Sequence, residues 1–357
     1  MTILTEIRVI IEALKITVIK KGKNMKVLVM AAGAVGGYFG SVIAEKHDVV
    51  LIARNEHLKA IQEKGLEVKS KTSGNFISQA TAVSKPEEGY VADIVIYCVK
   101  AYHNESACDV IAPAVGPETT VLTLQNGIGS GDFLSNRFGN ERVLLGAAYI
   151  EASRGNPGIT EEHGGGCRIA LGNKLGIGTP RTTMVSELLK SSNIDHEVSE
   201  NIMSALWKKL VFITALSGMT CLARARFEQV LDNPQTYELA IQVMSETKAV
   251  ADAEGIGLPS DIVDTTMDDF MSHKSELVSS MHQDLLSGRP LEVNVINGAV
   301  SQMGKTHSPG TDPTKHHSKI QSVLNNQARA SGGMYITSVS YTHLRAHETD
   351  SYLVCRL

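Results

Sequence analysis

A chain of 357 residues is long enough for two domains, and a hydrophobic share of 43% supports a sizeable buried core. Its net charge of −4 gives no electrostatic ground for nucleic acid or an anionic membrane surface as a partner. Cys98, Cys108, Cys167, Cys221 and Cys355 form no C-x-x-C pair, and the histidines form no H-E-x-x-H pattern. Neither a disulfide framework nor a metal centre is therefore expected, and reduced thiols point to the cytoplasm. By inspection no run reaches the roughly 18 apolar residues that a membrane span needs.

Residues 1–24 precede a second methionine, Met25, where a clean strand pattern begins. Glu6, Arg8, Glu12 and Lys15 break the leading apolar run and no small-residue cleavage site follows, which argues against a signal peptide. Codons for Lys20-Lys21-Gly22 must be purine-rich, as a bacterial ribosome-binding site is. Residues 1–24 are accordingly expected to be a non-native extension.

From Met25 the chain alternates as a parallel α/β domain does. "MKVLVM" is a short apolar strand, "AAGAVGGYFGSVIAEK" opens a helix through a glycine-rich turn, and "DVVLIAR" is a second strand before the helical "NEHLKAIQEKG". "DIVIYCVK" and "TTVLTLQNG" follow as β-branched runs with polar ends, then "VLLGAAYIEA", "CRIALG" and "IDHEVS" as further strands. From about Asn201, 3.6-residue periodicity takes over, predicting helices at 201–219, 235–254, 260–288 and 291–304. The expected organisation is a Rossmann-like α/β domain over 25–197 and an all-helical domain over 198–330. The end, "SVSYTHLRAHETDSYLVCRL", has no periodicity and resembles translated sequencing-adapter ends. Residues 331–357 are expected to be an artefactual or disordered tail.

In a doubly wound sheet, ligands bind at the carboxyl ends of the strands. After the first strand, Ala31-Ala32-Gly33-Ala34-Val35-Gly36 is a G-x-G-x-x-G fingerprint with alanine in place of its first glycine. Gly33 would let backbone approach a pyrophosphate and Gly36 would let helix pack on strand, with the N–H groups of Gly33, Ala34 and Val35 facing the phosphates. Ala31 fits if its φ is negative. The second strand ends in Arg54 with no acid at its tip, which favours NADPH over NADH. Lys100 and Asn126 end two later strands on the same edge; either could also be ordinary turn chemistry.

In "ALWKKLVFITALSG" two lysines sit side by side. On a helical wheel Met203, Leu206, Trp207, Leu210, Ile213 and Ser217 share one side; Lys208 projects opposite them and Lys209 falls on the flank. Periodicity thus prefers Lys209 for a partly buried role, one that a snorkelling structural lysine would fill equally well. Further on, Ser280 and Asp284 stand four apart on one helix face, with Glu292 near the start of the next helix.

Taken in order, "MKVLVMAAGAVGGYFG", "VKAY", "LQNGIG", "ALWKKLVF", "SSMHQD" and "LEVNVING" resemble the ketopantoate reductase (2-dehydropantoate 2-reductase) family, from Met25 to about Lys305. The resemblance implies a 6-phosphogluconate-dehydrogenase-like pair of domains and NADPH-dependent reduction of a small 2-keto acid on the route to pantothenate. It makes Lys209 the catalytic lysine, Glu292 its acidic partner, Lys100 and Asn126 polar residues on the cofactor side, and Asn126, Ser280, Asp284 and Glu292 neighbours of the substrate; a homodimer is compatible with it. Three features depart from the pattern: Ala31, Ile213 and Ser217 where some members have asparagines, and "THSPGTDPTKHHSKIQ" after Lys305 in place of the usual proline-containing segment. The competing expectations are a reductase of another branched 2-keto acid, a non-catalytic NADPH-binding redox regulator, and a damaged product whose altered end cannot pack.

Overall fold

The computed structural model describes residues 24–176, 178–308 and 312–330. The extension and tail expected from sequence lie outside the described residues, apart from Asn24. Two compact units emerge among the described residues: one holds those up to Gln125 together with Leu134–Ala205, the other holds Asn126–Phe133 and those from Leu206 onward. The division falls inside a helix rather than in a linker, and a loop from the α/β half belongs with the second unit.

The first unit runs β1 (Lys26–Met30), α1 (Ala34–Ile43), β2 (Asp48–Ile52), α2 (Asn55–Lys64), β3 (Glu67–Ser70), β4 (Phe76–Ile77), β5 (Thr81–Val83), β6 (Ile94–Tyr97), α3 (Asn104–Ile111), β7 (Thr120–Thr123), α4 (Ser130–Phe138, its first turn in the second unit), β8 (Val143–Tyr149), β9 (Ala152–Arg154), β10 (Ile159–Glu162), β11 (Arg168–Gly172), α5 (Pro180–Ser191) and β12 (Asp195–Val198). Eight of these strands form one sheet in the order β12-β11-β8-β7-β6-β1-β2-β5. It is parallel except where β11 meets β8. Val27, Val29, Ile94, Ile96 and Leu122 are fully buried in it, as β-branched runs in a sheet covered on both faces should be. From α1, Phe39 and Ile43 are also fully buried, each contributing about 2–3 kcal/mol.

Sequence reading missed a second, four-stranded sheet, β4-β3-β10-β9. Its strands are two to four residues long and carry polar stretches such as "EVKS" and "ITEE", too short for period-2 alternation to register. It packs on α1, where a Cβ added to Gly37 would fall 2.4 Å from Thr160 Oγ1.

The second unit is helical: α6 (Ile202–Ala223, its first turn in the first unit), α7 (Phe227–Asp232), α8 (Pro234–Ala253), α9 (Ile262–His273), α10 (Ser280–Leu286), α11 (Asn297–His307) and α12 (Lys315–Ala330). The helix expected over 260–288 is two, because Ser279 caps a fresh start at α10, its hydroxyl accepting from His282 N–H. The helix expected from 291 begins only at Asn297; Gly288 (φ 63°) and Pro290 end the preceding helix and the chain turns through Leu291–Ile296. Within residues 306–321, expected to depart from the pattern, the described part after the gap packs closely: His317 and Ile320 are buried at 0–1% exposure. Against the expectation of no membrane-length run, α6 is long and apolar enough to cross a membrane on length and composition. Its apolar surface is spent inside the protein, with Trp207, Val211, Ala215 and Met219 fully buried.

Candidate active site

The glycine-rich turn leaves β1 through Ala31, whose φ is +84°. The expectation of a negative φ is therefore wrong: the backbone adopts the left-handed form that glycine would take freely, and Ala31 bears the strain. Gly36 is required by close approach, since a Cβ there would lie 2.2 Å from Ala31 O and 2.9 Å from Val29 Cγ1. Above Gly33 a Cβ would meet nothing within 4 Å, so the turn has open space on that side. Gly33 caps α1 without a side-chain hydrogen bond, and the first turn carries no acid. With Ala34 and Val35 half-buried at that terminus, these residues fit a diphosphate: N–H groups, the positive end of a helix and room.

Arg54 is exposed immediately after β2, at the start of α2. Burial, and then the Arg54 charge, lower the His103 imidazole from its ordinary value, which puts the segment after β6 within reach of the Arg54 charge. Lys100 is half-buried after β6. Gln125, buried at the end of β7, donates from Nε2 to Val99 O and Asn104 Oδ1, both at 2.8 Å, and so ties the loop that carries Lys100.

In the second unit Lys208 is exposed and Lys209 half-buried, as the wheel predicts. Burial pushes the Lys209 ammonium down to about 8, and the Glu292 carboxylate acts to raise it. Glu292 is buried, in the turn before α11, and Val295 N–H donates to its carbonyl at 3.1 Å. The Val295 carbonyl in turn accepts from Ile128 N–H at 3.0 Å. Gly127 (φ +84°) permits this contact, for a Cβ there would sit 2.2 Å from Val295 O. Half-buried Asn126 is thereby fixed beside the segment that carries Glu292. A lysine with this value is largely protonated at neutral pH yet acidic enough to give its proton to a developing alkoxide.

The structure separates Ser280 from Asp284. Ser280 is exposed at the first turn of α10, whereas Asp284 is buried and accepts from Arg289 Nε at 2.7 Å. Burial, with the Asp284 charge behind it, pushes the Cys221 thiol up to about 12, which places that carboxylate toward α6. Ser217, at an asparagine position of the family pattern, is buried and accepts from Ser279 Oγ at 3.1 Å. Sequence reading missed His57, buried at the start of α2 and bonded to the glycine-rich turn. It looked like one more residue on an amphipathic helix, and nothing local marks it.

Two family models match the chain: "Ketopantoate reductase PanE/ApbA" over residues 27–175, and its "C terminal" counterpart over residues 201–325. The second match extends past Lys305 and through "THSPGTDPTKHHSKIQ". A 2-dehydropantoate 2-reductase of Mesorhizobium japonicum is 29% identical over 306 residues, covering 79% of this chain and 92% of its own length. The crystal structure of 2-dehydropantoate 2-reductase from Geobacter metallireducens superposes with a TM-score of 0.79 at 28% identity, over 85% of this chain and all of that one. A D-mandelate dehydrogenase, solved with NADH and anilino(oxo)acetate, has the same fold, with a TM-score of 0.79 at 24% identity over 87% of this chain and all of that one. With a dinucleotide-type turn in one unit, a half-buried lysine and a buried carboxylate in the other, and family models over both, this oxidoreductase belongs to the ketopantoate reductase family.

Proposed function

We propose that the protein reduces the 2-keto group of 2-dehydropantoate to a hydroxyl with NADPH, in the cytoplasm, and that Lys209 protonates the ketone oxygen. The observation that carries this is half-buried Lys209, its ammonium lowered to about 8, with the buried Glu292 as the charge that holds it protonated. The 2-dehydropantoate 2-reductases among the relatives lend the substrate. NADPH, when bound, supplies the hydride that reaches C2 of the keto acid. Gly33, Ala34 and Val35 bind the diphosphate through their N–H groups and Arg54 takes the 2′-phosphate. Lys100 and Asn126 hold the nicotinamide end. Lys209 stabilises negative charge as it builds on the oxygen and then gives up its proton, a contribution that general acids make at roughly a hundredfold or more. Glu292 orients Lys209 and accepts from the substrate hydroxyl, Ser280 offers its hydroxyl to the substrate, and Asp284 acts through Arg289 to hold α10.

NADPH oxidation measured with 2-dehydropantoate, 2-ketoisovalerate and benzoylformate tests the reading. The first has a hydroxymethyl group that the second lacks. A hydrogen bond from it to a charged partner is worth about 1.5–3 kcal/mol, so kcat/KM should favour 2-dehydropantoate by roughly ten- to a hundredfold. Equal rates with 2-ketoisovalerate would instead assign a broader branched 2-keto acid reductase, as Ile213 and Ser217 in place of asparagines would allow. NADPH binding without turnover of any keto acid would leave only the redox-regulator reading.

A further inference from the structure

The glycine-rich turn is held from behind by two side chains. His57 lies at the start of α2, buried, with both ring nitrogens engaged. Gly158 N–H points at Nδ1 at 3.0 Å, so Nδ1 must present its lone pair. Nε2 therefore bears the proton, and it donates to Ala32 O at 2.6 Å. One residue further along, Thr160 Oγ1 on β10 donates to Gly33 O at 3.3 Å, a carbonyl that also accepts from Gly37 N–H at 2.8 Å. Meanwhile Ala32 N–H is taken by Ile52 O at 2.9 Å.

Each trans peptide is a rigid plane in which the C=O of one residue and the N–H of the next point in opposite directions. Pinning Ala32 O toward His57 therefore turns Gly33 N–H the other way, away from the His57 ring. Pinning Gly33 O does the same for Ala34 N–H. These are the N–H groups that a diphosphate needs, and they follow Ala31, whose strained φ of +84° gives this stretch a reason to relax elsewhere. Burial and the Arg154 charge hold the imidazole neutral against the pull of the Ala32 carbonyl, and a neutral ring is what the Gly158 contact requires.

We propose that His57 is a positioning residue for the dinucleotide: as the Nε2–H tautomer it orients the Ala32–Gly33 peptide so that Gly33 N–H meets the cofactor's diphosphate. It touches neither cofactor nor substrate and acts through the backbone alone. The proposal rests on the dinucleotide reading of the turn made above. Because NADPH and NADH share the diphosphate, loss of the His57 contact must weaken both alike.

The test is fluorescence titration of the full chain with NADPH and with NADH, alongside steady-state kinetics. His57→Asn keeps an acceptor near Gly158 N–H but cannot reach Ala32 O. It should raise both dissociation constants by the same factor, roughly tenfold for one lost orienting hydrogen bond. At saturating NADPH, kcat and the KM for the keto acid should stay within about twofold. His57→Gln, which can still donate to Ala32 O, should recover most of the affinity. If His57→Asn does not fold, Thr160→Val carries the same prediction at roughly threefold. A folded His57→Asn with wild-type affinity, or a loss confined to NADPH, overturns the assignment. If the wild-type protein binds neither dinucleotide, the cofactor reading falls and this inference with it.

Discussion

Ala31 shows how one methyl group is felt. With φ at +84° it holds the left-handed backbone of a fingerprint glycine, at a cost of roughly 1–2 kcal/mol for an L-residue. Ala31→Gly should remove that strain and return part of the gain as unfolded-state entropy, leaving about 1 kcal/mol. The expected outcome is a Tm higher by about 2–4 °C in a calorimetric scan, with NADPH affinity unimpaired. An unchanged or lower Tm would mean that the turn is not strained. Lys209 supplies the other prediction at this scale. As a general acid it must be protonated, so kcat/KM should fall about tenfold per pH unit above about 8. The sign for stability is opposite. Above 8 and below the ordinary lysine value of 10.5, the unfolded chain binds the proton better, so stability rises with pH through that window, by at most about 3 kcal/mol. Glu292→Gln removes the charge that holds the proton on and should move the alkaline limb to lower pH.

Among the elements, α6 decides which lysine matters. Lys208 is exposed and Lys209 half-buried on one helix, so Lys208→Ala should leave turnover within about twofold while Lys209→Ala lowers it by roughly a hundredfold or more. Equal losses in single-turnover assays would remove the helix-face argument. Periodicity exposed this contrast in advance because a 22-residue helix samples its faces many times. The long parallel strands were legible for a related reason: "KVLVM" and "DVVLI" are β-branched runs bounded by turns. Strands of two or three residues give period-2 alternation no room, which hid β4, β5 and β9. The break at Leu291–Ile296 was hidden by its own apolar residues, since Leu291 and Val295, four apart, read as one helix face while being buried in a non-helical turn. His57 escaped for a deeper reason. Its partner Gly158 lies 101 residues away and Ala32 lies 25 away, and neither separation leaves a local signature.

Across the whole molecule the proposed chemistry is divided. The glycine-rich turn, Arg54 and Lys100 belong to the first unit; Asn126, Lys209, Ser280 and Glu292 belong to the second. Arg54 is exposed at the tip of β2 with no acid at the strand end, so its charge is available to a 2′-phosphate, while the tip holds no carboxylate to accept from a 2′-hydroxyl. Arg54→Asp should therefore raise the KM for NADPH by roughly a hundredfold, since a favourable charged contact becomes a repulsive one, and should change that for NADH little or in the opposite sense. Lys209→Ala makes the complementary cut: titration should show NADPH bound as tightly as in the wild type while reduction is lost. Together the two variants separate binding from reaction. Should Arg54→Asp weaken NADPH and NADH equally, the 2′-phosphate assignment fails. Should Lys209→Ala lose NADPH binding as well, the lysine would belong to the cofactor site, and the proton would have to come from another group.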